Sequence, residues 1–116
     1  MSEKSKNYVD RGNIRVSDGV VASIAVAAAC EIDGIQSSFK EKMKRAGKYV
    51  KLAFNGTSVA IEIFIVVKYG YVIAEVGEAV QDSVKAAVED MTGLDVTCVN
   101  VTCTGIAFPK EKKNKE

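Results

Sequence analysis

Val80-Gln81, Val84, Val88-Glu89, Met91-Thr92-Gly93-Leu94 and Val99-Asn100-Val101 follow one another without a gap in the last third of the chain. They read as a helix, its stop and the strand behind it. Ile73, Val76, Val80, Val84, Ala87 and Met91 recur at spacings of three and four, which gathers them on one helical face that has to be buried. Gly93 suits the left-handed residue just past a helix end, since it has no Cβ to clash at positive φ, and Leu94 can then fold back onto the last turn. The helix is expected to end near Thr92.

Upstream of that helix, Asn55-Gly56 divides two apolar runs, residues 49–54 and 57–69, and is the strongest short signal for a two-residue hairpin turn. Placing Phe54 opposite Thr57 puts Leu52 opposite Val59 and Val50 opposite Ile61. One face then collects Val50, Leu52, Val59, Ile61, Ile63, Ile65 and Val67. The other face carries Lys51, Ser58 and Glu62 until Phe64 and Val66 make the strand apolar on both sides. In the last strand, residues 95–108, the inward face is expected to be Val99, Val101 and Cys103, with Gly105 permitting a bulge before Ile106 and Phe108.

Toward the N-terminus, residues 12–16 alternate polar with apolar and predict a short strand, after which Ser17 or Asp18 can cap a helix starting at about Gly19. Val21, Ile24, Ala25, Ala28 and Ile32 form an apolar face of that helix, and Asp33-Gly34 stops it. Residues 36–48 predict a short basic amphipathic helix: Lys40, Lys42, Lys44, Arg45 and Lys48 outnumber Glu41, Phe39 and Met43 lie one turn apart, and Ser38 followed by Glu41 is a capping-box pattern with Gly47 as a stop. The resulting order is β-α-β-β-α-β. It defines an α+β two-layer sandwich, a small mixed sheet with two main helices on one face and the short basic helix inserted after the first. Residues 11–108 form one domain, flanked by a polar segment, 1–10, and a charged tail, 109–116, both expected to fray.

Composition narrows the chemistry. Hydrophobic residues make up 47% and aromatics 7% with no Trp, so the core is built from Val, Ile and Ala and base stacking is disfavoured. Sixteen basic against fifteen acidic side chains leave +1, far from the balance of a dedicated nucleic-acid binder. Three cysteines, Cys30, Cys98 and Cys103, without a C-x-x-C pair argue against a disulfide framework or a structural zinc site and fit a reducing cytoplasm. No basic-then-apolar leader opens the chain and no uncharged run reaches the roughly 20 residues that span a bilayer. The sequons at Asn55 and Asn100 therefore carry no weight.

The absence of histidine excludes Ser-His-Asp and Cys-His sites. Cys30 and Cys103 read as packed thiols and Cys98 as the accessible one, with no basic partner to lower its pKa. Glu75, Glu78, Asp82, Glu89 and Asp90 give the last helix an acidic outer face, and no phosphate loop occurs. No catalytic, cofactor or metal residues are expected. The basic segment around Lys40, Lys42, Lys44 and Arg45 admits three readings: a solvated loop, weak salt-sensitive contact with anionic lipid, or nucleic-acid phosphate.

Gly12-x-Ile14-x-Val16-Ser17, Val20-Val21, Ile24-Ala25-x-x-Ala28, Glu31-x-Asp33-Gly34-Ile35, Val67-Lys68-Tyr69-Gly70 and Ile73-x-Glu75-Val76 precede the C-terminal words in a fixed order. Over residues 12–108 the chain thereby resembles the alkaline shock protein family, the Gls-type general or cell-envelope stress proteins. The resemblance implies a cytoplasmic, non-enzymatic protein of mainly Gram-positive bacteria, some of whose relatives assemble or dock at the membrane through a membrane-protein partner.

The first helix carries an excess of apolar surface. Ala22, Val26 and Ala29 line the side opposite its sheet-packing face, and no charge falls between Gly19 and Cys30. In a two-layer domain nothing is left to cover that side, so Ala22, Val26 and Ala29 are expected to contact a second copy or a membrane-bound partner. A homo-oligomer at the inner face of the cell membrane is the sequence-based expectation, with a nucleic-acid module as the alternative.

Overall fold

The computed structural model describes residues 8–11, 14–45 and 47–109. Two strands, β1 (Tyr8–Arg11) and β2 (Ile14–Ser17), lead into helix α1 (Asp18–Cys30) and helix α2 (Ser37–Arg45). After a 3-10 turn at Gly47–Tyr49 come β3 (Val50–Asn55), β4 (Ser58–Lys68), helix α3 (Ile73–Thr92) and β5 (Asp95–Ala107). The main sheet has the order β3-β4-β5, with β3 antiparallel and β5 parallel to β4, so the mixed α+β plan holds.

β4 is the axis of the core. Val59, Ile61, Ile63, Ile65 and Val67 are each at most 1% exposed and alternate with half-buried residues, as a strand packed on one face requires. α3 presents Val76, Val80, Val84 and Val88 to them, and α1 adds Val21 and Ala25. The expected α3 face is corrected at its rim: Ile73 is 46% and Met91 72% exposed, and Ala87 is half-buried. The buried seam is a run of valines four apart, and Leu94, 1% exposed, takes the place at the helix end that Met91 was expected to fill. The stop itself is as read, with Gly93 at φ 77° and its N–H donating to Glu89 O at 2.9 Å.

The first strand does not join the main sheet. β2 pairs with β1 in a separate two-stranded sheet, from Tyr8 opposite Ser17 to Arg11 opposite Ile14. Both flanks of β4 are already taken: β5 lies along all of it, β3 pairs with its first half, and Ile35 bridges to Val67 beside its second half. Ordered backbone accordingly starts before residue 11. Of the segments expected to fray, residues 1–7 and 110–116 lie outside the described residues, as do Gly12 and Asn13 of the expected strand.

The hairpin register is shifted from the expected one by two residues. Asn55 pairs with Ser58, Leu52 with Ile61 and Val50 with Ile63, and positive φ falls at Gly56 (64°) alone. An even shift preserves the face of every side chain, which is why the buried set was legible although the partners were not. In β5 the bulge expected at Gly105 is present, with Ile65 opposite Cys103 and Val66 opposite Gly105. A second irregularity lies at Thr97. Each extra residue is a threonine whose hydroxyl donates to β4: Thr97 Oγ1 to Val59 O at 3.3 Å and Thr104 Oγ1 to Ile65 O at 3.1 Å. The hydroxyls occupy carbonyls at the two points where the ladder slips.

Ser17 caps α1, its Oγ accepting from Val20 N at 3.2 Å. α2 is capped by Gln36 rather than by a Ser38-Glu41 box, its Oε1 accepting from Phe39 N at 3.0 Å, and the helix ends at Arg45 instead of reaching Lys48. α2 folds back on α1 and buries Phe39 and Met43. This corrects the reading of α1: Val26 and Ala29 are 7% and 0% exposed, Ala22 is half-buried, and the apolar excess is covered within the chain by α2 and by Val50. Ser23 and Ala27 are the residues of that helix left facing outward along its middle.

Candidate docking surface

The apolar surface that remains exposed is gathered at one end of the molecule. Of the seven large hydrophobic residues open to solvent among the described residues, Tyr69 (62%), Tyr71 (45%), Val72 (56%), Ile73 (46%) and Phe108 (67%) lie where β4 and β5 finish and α3 begins. The fold builds this end deliberately from backbone bonds. Tyr69 N donates to Ala107 O at 2.8 Å, holding the last residues of the two parallel strands together. Gly70, at φ 100°, turns the chain, and Tyr71 N closes the turn on Lys68 O at 3.2 Å. Above the turn the Tyr69 and Phe108 rings stack at 5.0 Å, and Lys68 Nζ stands 5.8 Å from the centroid of Tyr71.

Gly34 explains how Tyr71 is held. A Cβ there would lie 2.5 Å from Val76 Cγ2 and 3.0 Å from Tyr71 Cδ2, so the ring and the first buried valine of α3 rest directly on its backbone. The neighbouring bonds Gln36 N to Val66 O (3.1 Å) and Lys68 N to Gly34 O (2.8 Å) fix that backbone against β4. A shallow groove of about 300 Å³ runs between Gln36, Ser37 and the Tyr69, Tyr71 and Phe108 side chains.

Val72, the residue in the capping position of α3, is extended and offers no side-chain acceptor to the helix N–H groups. A serine, threonine, aspartate or asparagine there contributes about 1 kcal/mol. An exposed valine thus stands where the local rule asks for a polar residue, a conflict of the kind that marks functional positions. Sequence reasoning placed Ile73 on the buried face and overlooked this end. The available signal was the run Tyr69, Tyr71, Val72, Ile73, apolar across a turn with no capping residue in it.

The basic residues singled out from the sequence behave differently. Lys42, Lys44 and Arg45 are exposed and Lys40 is half-buried. The apolar side of α2 is spent on the core, with Phe39 6% and Met43 2% exposed and Tyr49 packed edge-on against Phe39 at 4.8 Å. The helix therefore offers charge but no insertable surface, and no free ring adjoins it. A groove of about 430 Å³ separates it from α1, floored by Ala22, Val26, Met43 and Val50 and rimmed by Lys44 and Arg45. On α3, Glu75, Glu78, Asp82 and Asp90 are exposed as an acidic outer face.

The thiols follow the reading from sequence. Cys98 is exposed on the open sheet face, near Asn100 Nδ2 at 3.9 Å. Cys30 is half-buried, and burial pushes its thiol pKa up, outweighing the opposing pull of Lys44 and Lys40. Cys103 lies 3.3 Å from Gly105 O at the bulge. No cluster of metal-ligating side chains is found among the described residues, and no described helix is long and apolar enough to cross a membrane.

These features belong to a known class of small α+β proteins. Residues 6–108 match the model of the alkaline shock protein (ASP23) family, whose description is a cell envelope-related function, and the chain belongs to that family. Among its relatives, the uncharacterized protein YloU of Bacillus subtilis (strain 168) is 30% identical over 106 residues, covering 82% of this chain and 88% of YloU. The uncharacterized protein Spy1535 of Streptococcus pyogenes serotype M6 is 29% identical over 110 residues, covering 88% and 84%. Among solved structures, a variant of MamM-CTD superposes with a TM-score of 0.50 at 14% identity, covering 76% of this chain and 96% of that one. At that identity the likeness is one of fold alone.

Proposed function

We propose that this chain is a non-enzymatic interaction module in envelope and alkaline-stress homeostasis, working at the inner face of the cell membrane through self-association and a membrane-associated partner. The observation that carries the reading is the exposed end made by Tyr69, Tyr71, Val72, Ile73 and Phe108. Scattered apolar side chains are normal on a protein surface, whereas a contiguous group rimmed by polar residues marks a contact site. That two of these residues, Tyr69 and Ile73, lie inside the words shared with the family, Val67-Lys68-Tyr69-Gly70 and Ile73-x-Glu75-Val76, supports a docking role for this end.

Self-association draws on a second exposed region, where Ser23, Ile24 and Ala27 of α1 face Ala87 and Met91 of α3 across a groove of about 300 Å³. Because Val26 is buried, a lysine there would disrupt the core rather than an interface, and Ala27 is the informative position. Sedimentation velocity on wild type and Ala27→Lys tests this part: the wild type is expected to be an oligomer that the lysine dissociates, and a monomeric wild type removes self-association from the proposal.

A nucleic-acid module remains the second reading, favoured by the exposed Lys42, Lys44, Arg45 and Lys48. Phosphate contact alone gives salt-sensitive, sequence-independent binding, so no specific complex is expected at physiological salt. The envelope role is tested by complementation. Cells lacking the chain should regain growth after an alkaline challenge with the wild-type gene and not with a Tyr69→Ser, Phe108→Ser variant, and equal rescue by both would remove the docking reading.

A further inference from the structure

Resting on the proposal that the chain self-associates through α1, we infer that two copies pair about a two-fold axis running along α1, so that the α1 helices lie parallel and the basic α2 of each copy meets the acidic α3 of the other. The face concerned is the outer side of the helices. α1 holds its middle, with Ser23 and Ala27 exposed along the crest. The groove between α1 and α2 is floored by Ala22, Val26, Met43 and Val50, and the groove between α1 and α3 holds Ile24, Ala87 and Met91. Ser23 and Ala27 border both grooves, so α2 and α3 stand on opposite flanks of α1. Val20 (48% exposed), one turn before Ser23 and Ile24, and Met91 (72%) are the large exposed hydrophobic residues left once the Tyr69 to Ile73 end and Phe108 are set aside, and both fall on this face.

The two flanks carry opposite charge. α2 brings Lys44 and Arg45 to the rim of its groove, with Lys40 half-buried one turn earlier and Glu41 as the one carboxylate of the helix. On α3 the stripe Asp82, Ala86 and Asp90 is exposed and lies next to the stripe Ser83, Ala87 and Met91 that lines the other groove. The lysine of α3, Lys85, is on the far side, where it meets Val96 O and Glu89 at the edge of β5. Both flanking helices run antiparallel to α1. Cys30 Sγ lies 3.9 Å from Lys40 O while Lys44 and Arg45 share a groove with Gly19, and Ser83 Oγ donates to Ala28 O at 3.1 Å while Met91 lies beside Ser23 and Ile24. Arg45 and Asp90 are thereby level with the first half of α1, and Lys40 and Asp82 are level with its end.

Two such faces can meet in two ways. An axis lying across α1 makes the α1 helices antiparallel and sets α2 on α2 and α3 on α3, like charge against like. An axis along α1 exchanges the flanks and keeps the levels. Lys44 and Arg45 then stand opposite Asp90 of the second copy and Lys40 opposite its Asp82, and the same pairs recur on the other side, as an isologous interface requires. Asp18 and Glu31, at the two ends of α1, oppose a carboxylate in either orientation and so do not choose between them. The flanks do, making the face complementary to itself in one orientation and repellent in the other.

The test is sedimentation velocity of the full chain as wild type, with Lys44→Glu and Arg45→Glu together, with Asp82→Lys and Asp90→Lys together, and as an equal mixture of the two charge-reversed variants. All four positions are exposed, and circular dichroism checks that each variant folds. A lysine in place of Asp90 also suits the C-terminal end of α3, so the α3 variant carries the test even if α2 tolerates its new carboxylates badly. The wild type should dimerise, and each variant alone should do so at least about tenfold more weakly. The mixture should regain the dimer, because the reversed α2 of one variant then meets the reversed α3 of the other while the two native flanks meet as well. In a Cys98→Ser background, Val20→Cys should cross-link to its own copy on mild oxidation, since an axis along α1 brings the two sites together and an axis across it sends them to opposite ends. A monomeric wild type removes self-association and this pairing with it. A wild-type dimer that Ala27→Lys dissociates but both charge reversals leave intact, or a mixture that stays monomeric, overturns the pairing alone and leaves self-association standing.

Discussion

The two ends of α3 are built on opposite terms. At its C-terminal end Gly93 takes up the left-handed conformation, Thr92 Oγ1 donates to Val88 O at 2.6 Å and accepts from Leu94 N at 3.1 Å, and Leu94 is buried. One, two and three turns earlier, Glu89, Lys85 and Gln81 form a stripe that reaches the free edge of β5. Gln81 Nε2 donates to Val99 O at 3.0 Å, Lys85 Nζ to Val96 O at 3.3 Å, and Val96 N donates to Glu89 Oε2 at 3.1 Å. An edge that could pair with another chain is occupied by side chains of its own helix. At the N-terminal end the capping position holds an exposed valine and the flanking aromatic residues face solvent. Within one helix, then, the end that satisfies every local requirement is structural, and the end that leaves them unmet is the candidate surface.

The largest effect that can sharpen this contrast comes from paired truncations. Leu94→Ala at the closed end should cost about 2–5 kcal/mol in urea denaturation, as for other buried large-to-small changes. Ile73→Ala at the open end should stay within about 0.5 kcal/mol of wild type. Similar losses at both positions would mean that the open end is part of the core after all.

Next in size is Gly34→Ala. The added methyl meets Val76, a buried and branched side chain with little room to move, so overpacking of about 1–3 kcal/mol is expected. The Tyr71 ring should be displaced with it, visible as a change in near-ultraviolet circular dichroism. An unchanged spectrum would show that Tyr71 is not positioned by Gly34.

The smallest effect has the opposite sign. Val72→Ser supplies the missing cap and should raise stability by about 0.5–1 kcal/mol while weakening whatever contact the end makes. A single variant that stabilises the fold and lowers function would break the link between the two most directly. A destabilised Val72→Ser would instead assign the valine a packing role.

Much of the fold was legible because its signals are local. The i, i+4 valines of α3, the alternation in β4 and the left-handed Gly93 each depend on residues within a few positions of one another. The hairpin was found but misregistered, since one glycine with positive φ is compatible with turns that differ by two in their pairing. The candidate site was less legible. Val26 and Ala29 were assigned to an interface because an all-apolar helix signals burial on every side without saying by what, and α2 turned out to supply the cover. Ile73 was assigned to the core because its spacing fits the seam, although it borders an open groove against Ile65 and Val101 and stays 46% exposed.

By itself, then, the amino-acid sequence determined which segments are helix and strand, which face of each is apolar, where α3 stops, and the family to which the chain belongs. Only the tertiary structure decided that β2 pairs outside the main sheet, that α2 closes the far side of α1, and that the apolar residues from Tyr69 to Ile73 stay in solvent. The physical reason is that periodicity records the need for burial along a single element, whereas satisfying that need depends on which other elements have room beside it. β4 has both flanks filled, α1 has a third helix laid over it, and in the first turn of α3 only Val76 is buried among the described residues.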